Sequence, residues 1–292
     1  MINKRQTLLL VALTAFTVVS SCKSESKGDA VTLQLNLEKG QQYSMEMTVN
    51  STANTMGMDI TTDMNMEMTM NVDDVDNEGI ITVSTSYDHI VFEQNMPMMG
   101  KLRYDSDDPD AASGTMSDVY KEAFEPILNA HLTMKMDKHG KVVDIEGLDE
   151  LTEELAQGQL PDLQSNFKEN MDYFFAVFPE DPVHVGDSWA RTLSLKSQFP
   201  MQVETTYTLQ EIKDGKAIIS VTGNLSMDEG NSVANQTGLK SLEGTLEGEM
   251  AVDISTGWTV RGDIEQDLKL GVEQMGQSIE MDIVNEISFK SK

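Results

Sequence analysis

Asp63-Met64-Asn65-Met66-Glu67-Met68-Thr69-Met70-Asn71-Val72 alternates without exception between a polar residue and an apolar one. A β-strand turns successive side chains to opposite faces, so this stretch sets four methionines and a valine on one face and five polar residues on the other. A helix would scatter those methionines around its axis. The period of two therefore identifies a half-buried strand, and it recurs along the chain. Tyr43, Met45, Met47 and Val49 alternate in the same way after Gly40, and Val31, Leu33, Leu35 and Leu37 do so before it. Downstream, Asp76-Asn77-Glu78-Gly79 supplies turn residues ahead of Ile80-Ile81-Thr82-Val83-Ser84, which predicts a hairpin.

A helical stretch interrupts the pattern. Ser117 can cap a helix with apolar residues at Val119, Tyr120, Ala123, Phe124, Ile127 and Leu128, with Pro126 expected to kink or break it. Residues 148–156 read as a short acidic helix. Pro161 suits a first helical turn, and Leu163, Phe167, Met171, Phe174, Phe175 and Phe178 follow as a wide apolar stripe before Pro179.

Strands resume at Asp187, and there the chain echoes itself. Gly40-Gln41-Gln42-Tyr43 is matched by Gly186-Asp187-Ser188-Trp189, and Val72-Asp73-Asp74-Val75 by Leu209-Gln210-Glu211-Ile212. Met136-Asp137 with Gly140 is matched by Val252-Asp253 with Gly257. The spacings between the echoes differ, and strand–turn–strand composition alone can imitate a repeat. The expected fold is mainly β (α+β): two related antiparallel β modules forming curved sheets or a half-barrel, with a helical insert between them. The expected boundaries are 1–21 lipoprotein signal peptide, 22–30 flexible tether, 31–145 first β module, 146–181 helical insert and 182–292 second β module. An open half-barrel would leave its concave face to be covered by the Phe-rich helix.

Cys22 is the only cysteine. Before it stand Lys4 and Arg5, an apolar run over 8–19, and Val19-Ser20-Ser21. That order is the one a signal peptidase reads, and a cysteine directly after it is the lipidation site of a bacterial lipoprotein. The run of about 12 residues is short of the ~20 needed to cross a bilayer, so a signal peptide is expected and not a membrane span. Diacylglycerol on the thiol and an acyl chain such as palmitate would hold residues 22–292 at a membrane. Lys23 predicts the outer membrane, where an Asp would favour retention in the inner one. Without residues 1–21 the chain has 19 basic against 49 acidic residues, a net charge of −30. Such a surface repels phosphate, which excludes nucleic acid as a partner. With Cys22 acylated, no thiol remains for disulfide or thiolate chemistry.

At these residues the chain resembles a family of uncharacterised Gram-negative outer-membrane lipoproteins classed as a domain of unknown function. The resemblance lies in the residues around Cys22, in Leu35-x-Leu37-x-x-Gly40-x-x-Tyr43, in Pro182-Val183-His184-Val185-Gly186-Asp187-Ser188-Trp189, and in Asp253-Ile254-Ser255-Thr256-Gly257-Trp258. It covers nearly all of residues 22–292. It implies a lipid-anchored β protein and carries no catalytic residues.

Two constellations could carry chemistry. Thioethers spaced Met-x-Met can bind Cu(I), but a strand that alternates Met with polar residues is also simply half-buried, and Met packs adaptably in cores and apolar cavities. Met64, Met66, Met68 and Met70, with Phe167, Met171, Phe174 and Phe175, are the expected lining of an apolar ligand site. Residues 74–79 match the opening of a calcium loop, yet the twelfth position is Thr85 where a bidentate Glu is needed, so a turn is expected there. Residues 105–110 could form a weak surface calcium site. No H-E-x-x-H, G-x-S-x-G, phosphate-binding loop or dinucleotide fingerprint occurs, and no enzyme activity, cofactor or metal site is expected. The sequence thus points to a non-enzymatic outer-membrane lipoprotein that binds an apolar ligand or an envelope protein partner. The alternatives are a structural or accessory subunit of an outer-membrane complex and a Met-based copper binder.

Overall fold

The computed structural model describes residues 29–97, 100–108, 117–151, 178–195, 201–227, 238–274 and 276–292. Its strands are β1 (Gln42–Thr55), β2 (Met58–Val75), β3 (Ile81–Met96), β4 (Gly100–Asp105), β5 (Leu132–Met136), β6 (Val142–Glu146), β7 (Ser188–Leu195), β8 (Met201–Lys213), β9 (Lys216–Met227), β10 (Leu239–Asp253), β11 (Thr259–Gln274) and β12 (Gln277–Ser291). One helix, α1 (Ser117–Leu128), lies between β4 and β5. The strands form one 12-stranded antiparallel sheet in the order β6-β5-β3-β2-β1-β12-β11-β10-β9-β8-β7, with β4 beside β3. The architecture is therefore a single sheet and not two separate ones: β1 to β6 form one side, β7 to β12 the other, and they join where β1 pairs with β12. Among the described residues no pairing joins β6 to β7, so the sheet is not closed into a barrel.

The alternation read from the sequence sets the faces. In register, Met45 lies opposite Met68 and Met47 opposite Met66, so the apolar sides of β1 and β2 stack across the ladder. Ser44, Glu46, Thr48 and Asn50 then share the opposite, outer face with Thr69, Glu67, Asn65 and Asp63. The inner face of the first half packs Met70, Val72, Val83, Met134 and Met136, and that of the second packs Leu209, Ile219, Leu242, Leu246 and Val252. Close approach inside the curl needs an absent side chain at Gly262, where a Cβ would collide with the Phe289 ring from β12.

Helix α1 packs near the far end of β3. The Tyr120 hydroxyl donates to Gln94 Oε1 (2.9 Å), and Phe124 sits 5.4 Å from Phe92 and 5.3 Å from Tyr104, ring centre to ring centre. Pro126, expected to kink or break this helix, lies in its last turn: the N–H it lacks leaves the Glu122 carbonyl without that helical bond, and the helix ends two residues later. Of the second expected helix, residues 148–151 are helical. The rest of it, and the stripe from Leu163 to Phe175, lie outside the described residues.

Residues 31–40 depart from expectation. Their alternation is real, but they form no strand of the sheet. They run as an extended strap across its base, bonded to turns in place of a ladder. Val31 exchanges backbone hydrogen bonds with Val183 beside β7, the Leu35 N–H donates to Lys138 in the β5–β6 turn, and the Asn36 N–H donates to Thr256 in the β10–β11 turn. Gly257, at φ +72°, lets the Gln34 carbonyl pass where a Cβ would strike it. Leu33 is buried in the core of the second half and Leu37 in that of the first, so the strap pins both together.

The sequence echoes fall on matching devices. The Gly40 N–H donates to Val72 and the Val72 N–H to Gln41; the Gly186 N–H donates to Leu209 and the Leu209 N–H to Asp187. A register shift follows Val72 in one half and Leu209 in the other. Another precedes Met136 and, correspondingly, Val252. The carboxylates of Asp137 and Asp253 each accept backbone N–H groups of the turn that follows.

Leu33→Ala should lower the unfolding free energy by about 2–5 kcal/mol, the range for truncating a buried leucine, as read from urea denaturation. A loss under about 1 kcal/mol would mean that the strap is not part of the cooperative core. The Asp253 carboxyl is held below the usual carboxylate range, first by the Ser255 hydroxyl and then by backbone N–H groups of Thr256 and Ser255. Its folded pKa is depressed, so its contribution is complete above the unfolded value of about 3.9 and fades as pH falls through the folded value. Asp253→Ala should thus cost about 1 kcal/mol at pH 7, with the deficit shrinking below about pH 4. Urea titrations at a series of pH values check this; a deficit independent of pH contradicts it.

Candidate functional site

The inner face does not fill its own interior. A cavity of about 210 Å³ remains, walled by side chains from both halves of the sheet. Met45 and Met47 come from β1, Met66, Met68 and Met70 from β2, and Met134 and Met136 from β5. Facing them are Tyr207 from β8, Val221 from β9, Leu246 and Met250 from β10, Ile264 from β11, and Ile287 and Phe289 from β12. Met134 and Tyr207 lie on strands near opposite edges of the sheet order yet line one space, so the sheet curls around it. Leu35 of the strap and Trp258 of the β10–β11 turn contribute at the base, where the Trp258 ring packs 4.4 Å from that of Tyr43. Phe178 also lines the space.

The chemistry of this lining is apolar and neutral. Among the described residues no charged side chain lines it. Burial pushes the Tyr87 phenol above its ordinary pKa, so it too is uncharged near neutrality. Thr85 and Thr205 are the buried polar side chains of the described residues, each 6% exposed, and both line the cavity. Thr85 Oγ1 has no hydrogen-bond partner. The methionines give the wall thioether sulfurs on unbranched, adaptable chains.

Of the expected lining residues, Met66, Met68 and Met70 line the cavity. Met64 faces the same way, opposite Val49 and Phe92, but is not part of this wall. Phe167, Met171, Phe174, Phe175 and Cys22 lie outside the described residues. Sequence reasoning missed Met134, Met136, Met250 and the two threonines as lining. The signal for Thr85 was present: Ile81, Val83, Thr85 and Tyr87 share one phase, and a hydroxyl stands where the others are apolar. The acidic stretches do other work. Asp76 Oδ1 accepts the N–H groups of Glu78 and Ile80 and so closes the expected turn. Asp105 pairs with His89 (2.9 Å) and Arg103 (2.9 Å). Among the described residues no three His, Cys, Asp or Glu side chains converge as metal ligands.

Fold and site together define a curled antiparallel sheet that encloses an uncharged, Met-rich cavity. Over residues 78–259 the chain matches DUF6263, a family of unknown function, and it belongs to that family. No curated protein matches it. Among solved structures, the COG4313 outer membrane channel of Pseudomonas putida F1 shares 8% identity at a TM-score of 0.25, over 88% of this chain and 97% of that one. OpdQ of Pseudomonas aeruginosa shares 7% at a TM-score of 0.17, over 86% and 99%.

Val221, beside Gly248 on β10, borders the cavity with space before it. Val221→Met should fill part of that space and raise the stability of the ligand-free protein by about 0.5–2 kcal/mol. Thermal or urea unfolding reads this; a loss of more than about 1 kcal/mol would show that the interior is already full.

Proposed function

We propose that this chain is a lipid-anchored, non-enzymatic outer-membrane lipoprotein that holds an apolar ligand inside its curled sheet. The observation that carries the reading is the 210 Å³ cavity, walled by apolar side chains from both halves with no charge among the described lining. A concave apolar space with a few polar groups is the usual form of a small-molecule site. The anchor rests on the residues before Cys22. Cys22 and Asp29 are seven residues apart, a reach of at most about 25 Å, which would hang the strap end of the sheet close to the membrane surface. The outer faces of β1 and β2 are polar, which suits a sheet surrounded by water better than one embedded in lipid. The paired hydrogen bonds and register shifts support reading the two halves as repeats of one strand unit.

A second reading, an accessory subunit of an envelope complex, is favoured by one feature. The β1–β2 hairpin tip, at the other end of β1 from the strap, exposes Met56 (68%) and Met58 (39%) to water. Apolar tips of this kind suit contact with a protein partner.

Native mass spectrometry of protein purified from membranes, followed by solvent extraction, should find a non-covalent apolar mass released by unfolding. A chain that is empty in every preparation overturns the ligand reading. Cys22→Ala should move the protein from the membrane fraction to the soluble one; retention at the membrane would overturn the anchor. Crosslinking in membranes separates the second reading, which requires a stoichiometric partner lost with Met56→Ser.

A further inference from the structure

Thr85 sits on β3 opposite Met70 of β2 and Leu132 of β5, in the middle of the first half's inner face. Its hydroxyl is buried and unpartnered. Leaving a buried hydroxyl unpaired is destabilising, and valine offers nearly the same shape without it. The other half of the sheet carries that valine. The two halves can be set in register by their shifts, Val72 opposite Val83 in one and Leu209 opposite Ile219 in the other. Two residues further along, Thr85 faces Met70 just as Val221 faces Tyr207. The matching place in the other half thus carries a side chain of the same shape without the hydroxyl, which supports a role for the Thr85 hydroxyl other than holding the sheet.

The wall around Thr85 also excludes ligand classes. A carboxylate or phosphate inside would be buried with no cation among the described lining residues, a cost that an apolar contact does not offset. Flexible thioether side chains such as Met68 and Met134 suit a chain that bends. A cavity of about 210 Å³ exceeds the ~150 Å³ that accepts benzene and falls below the ~300 Å³ of typical drug-sized pockets, so it suits one medium chain and not a whole diacyl lipid.

We propose that the cavity binds a single flexible hydrocarbon chain bearing one uncharged oxygen function, a hydroxyl or an ester carbonyl, which pairs with the Thr85 hydroxyl. This rests on the apolar-ligand reading above and adds the polarity, the charge and the contact.

The test uses delipidated protein and three ten-carbon probes, 1-decanol, decane and decanoate at pH 8, titrated against tryptophan fluorescence, since Trp258 lines the cavity. Thr85→Val should weaken decanol about fivefold, one net hydrogen bond, while decane binding stays within about twofold. Decanoate should bind wild type at least about tenfold more weakly than decanol, because its charge has no partner. The variant should unfold at the same temperature as wild type or higher, since a buried unpaired hydroxyl is gone. If wild type binds none of the three, the apolar-ligand reading itself fails. If decanol and decane bind but Thr85→Val leaves both unchanged, that reading stands and the Thr85 contact is overturned. If decanoate matches decanol, the exclusion of charge is overturned.

Discussion

The pairing of β1 with β12 is the constraint on which the rest of this structure depends. Every other neighbour in the sheet is reached by a connection within one half, whereas this ladder brings Met45 to Ser291 and Thr55 to Met281 across nearly the whole chain. Loop closure over such a separation is costly and is recovered only when the long ladder forms. Without it there would be two smaller sheets, each with an apolar face open to water. With it, the methionines of β1 and β2 and the Ile287 and Phe289 side chains of β12 turn toward one interior. The strap reinforces the same junction from below, because Leu33 and Leu37 belong to different cores.

Among the described residues no second sheet backs this one. Its interior is filled, among those residues, by what its own strands point inward, with Leu35 of the strap, Trp258 and Phe178 added. The ring of Phe289 lies over Gly262, so bulk on one strand fills the gap left by its neighbour. Methionines fill irregular space by bending. The middle of the interior nonetheless stays open, and it is there that both buried threonines stand. Incomplete filling and polar groups within an apolar wall thus coincide at one place.

Much of this was legible in the sequence, because a period of two is a direct imprint of the pleat. Residues 63–72 gave the strand, its buried face and its methionines correctly, and Asp76 to Gly79 gave the turn. The same period misled at residues 31–37: any extended chain with one buried side alternates, whether its backbone bonds to a ladder or, as here, to the turns of other strands. The distant pairing of β1 with β12 leaves no mark on local pattern, so the sequence left open curved sheets or a half-barrel where there is one continuous sheet. Pro126 misled in the opposite sense: its ring removes one N–H and crowds the turn before it, and the helix tolerates that loss close to its end. The cavity was half legible. One wall could be read from Met66, Met68 and Met70, but the facing wall, with Val221, Ile264 and Phe289, follows only from the curl.

The matched turns and register shifts line up the two halves of the sheet strand by strand. Set on the matched turns and register shifts, β1, β2, β3, β5 and β6 correspond in order to β7, β8, β9, β10 and β11. Both series run the same way across the sheet, so one half follows the other as a translation along it. β12 is left over, and it is β12 that fills the place between the end of one series, β11, and the start of the other, β1. The equivalent place on the other side lies between β6 and β7, and among the described residues no strand occupies it. Among the described residues the first half thus offers no counterpart of β12, and there the sheet is open.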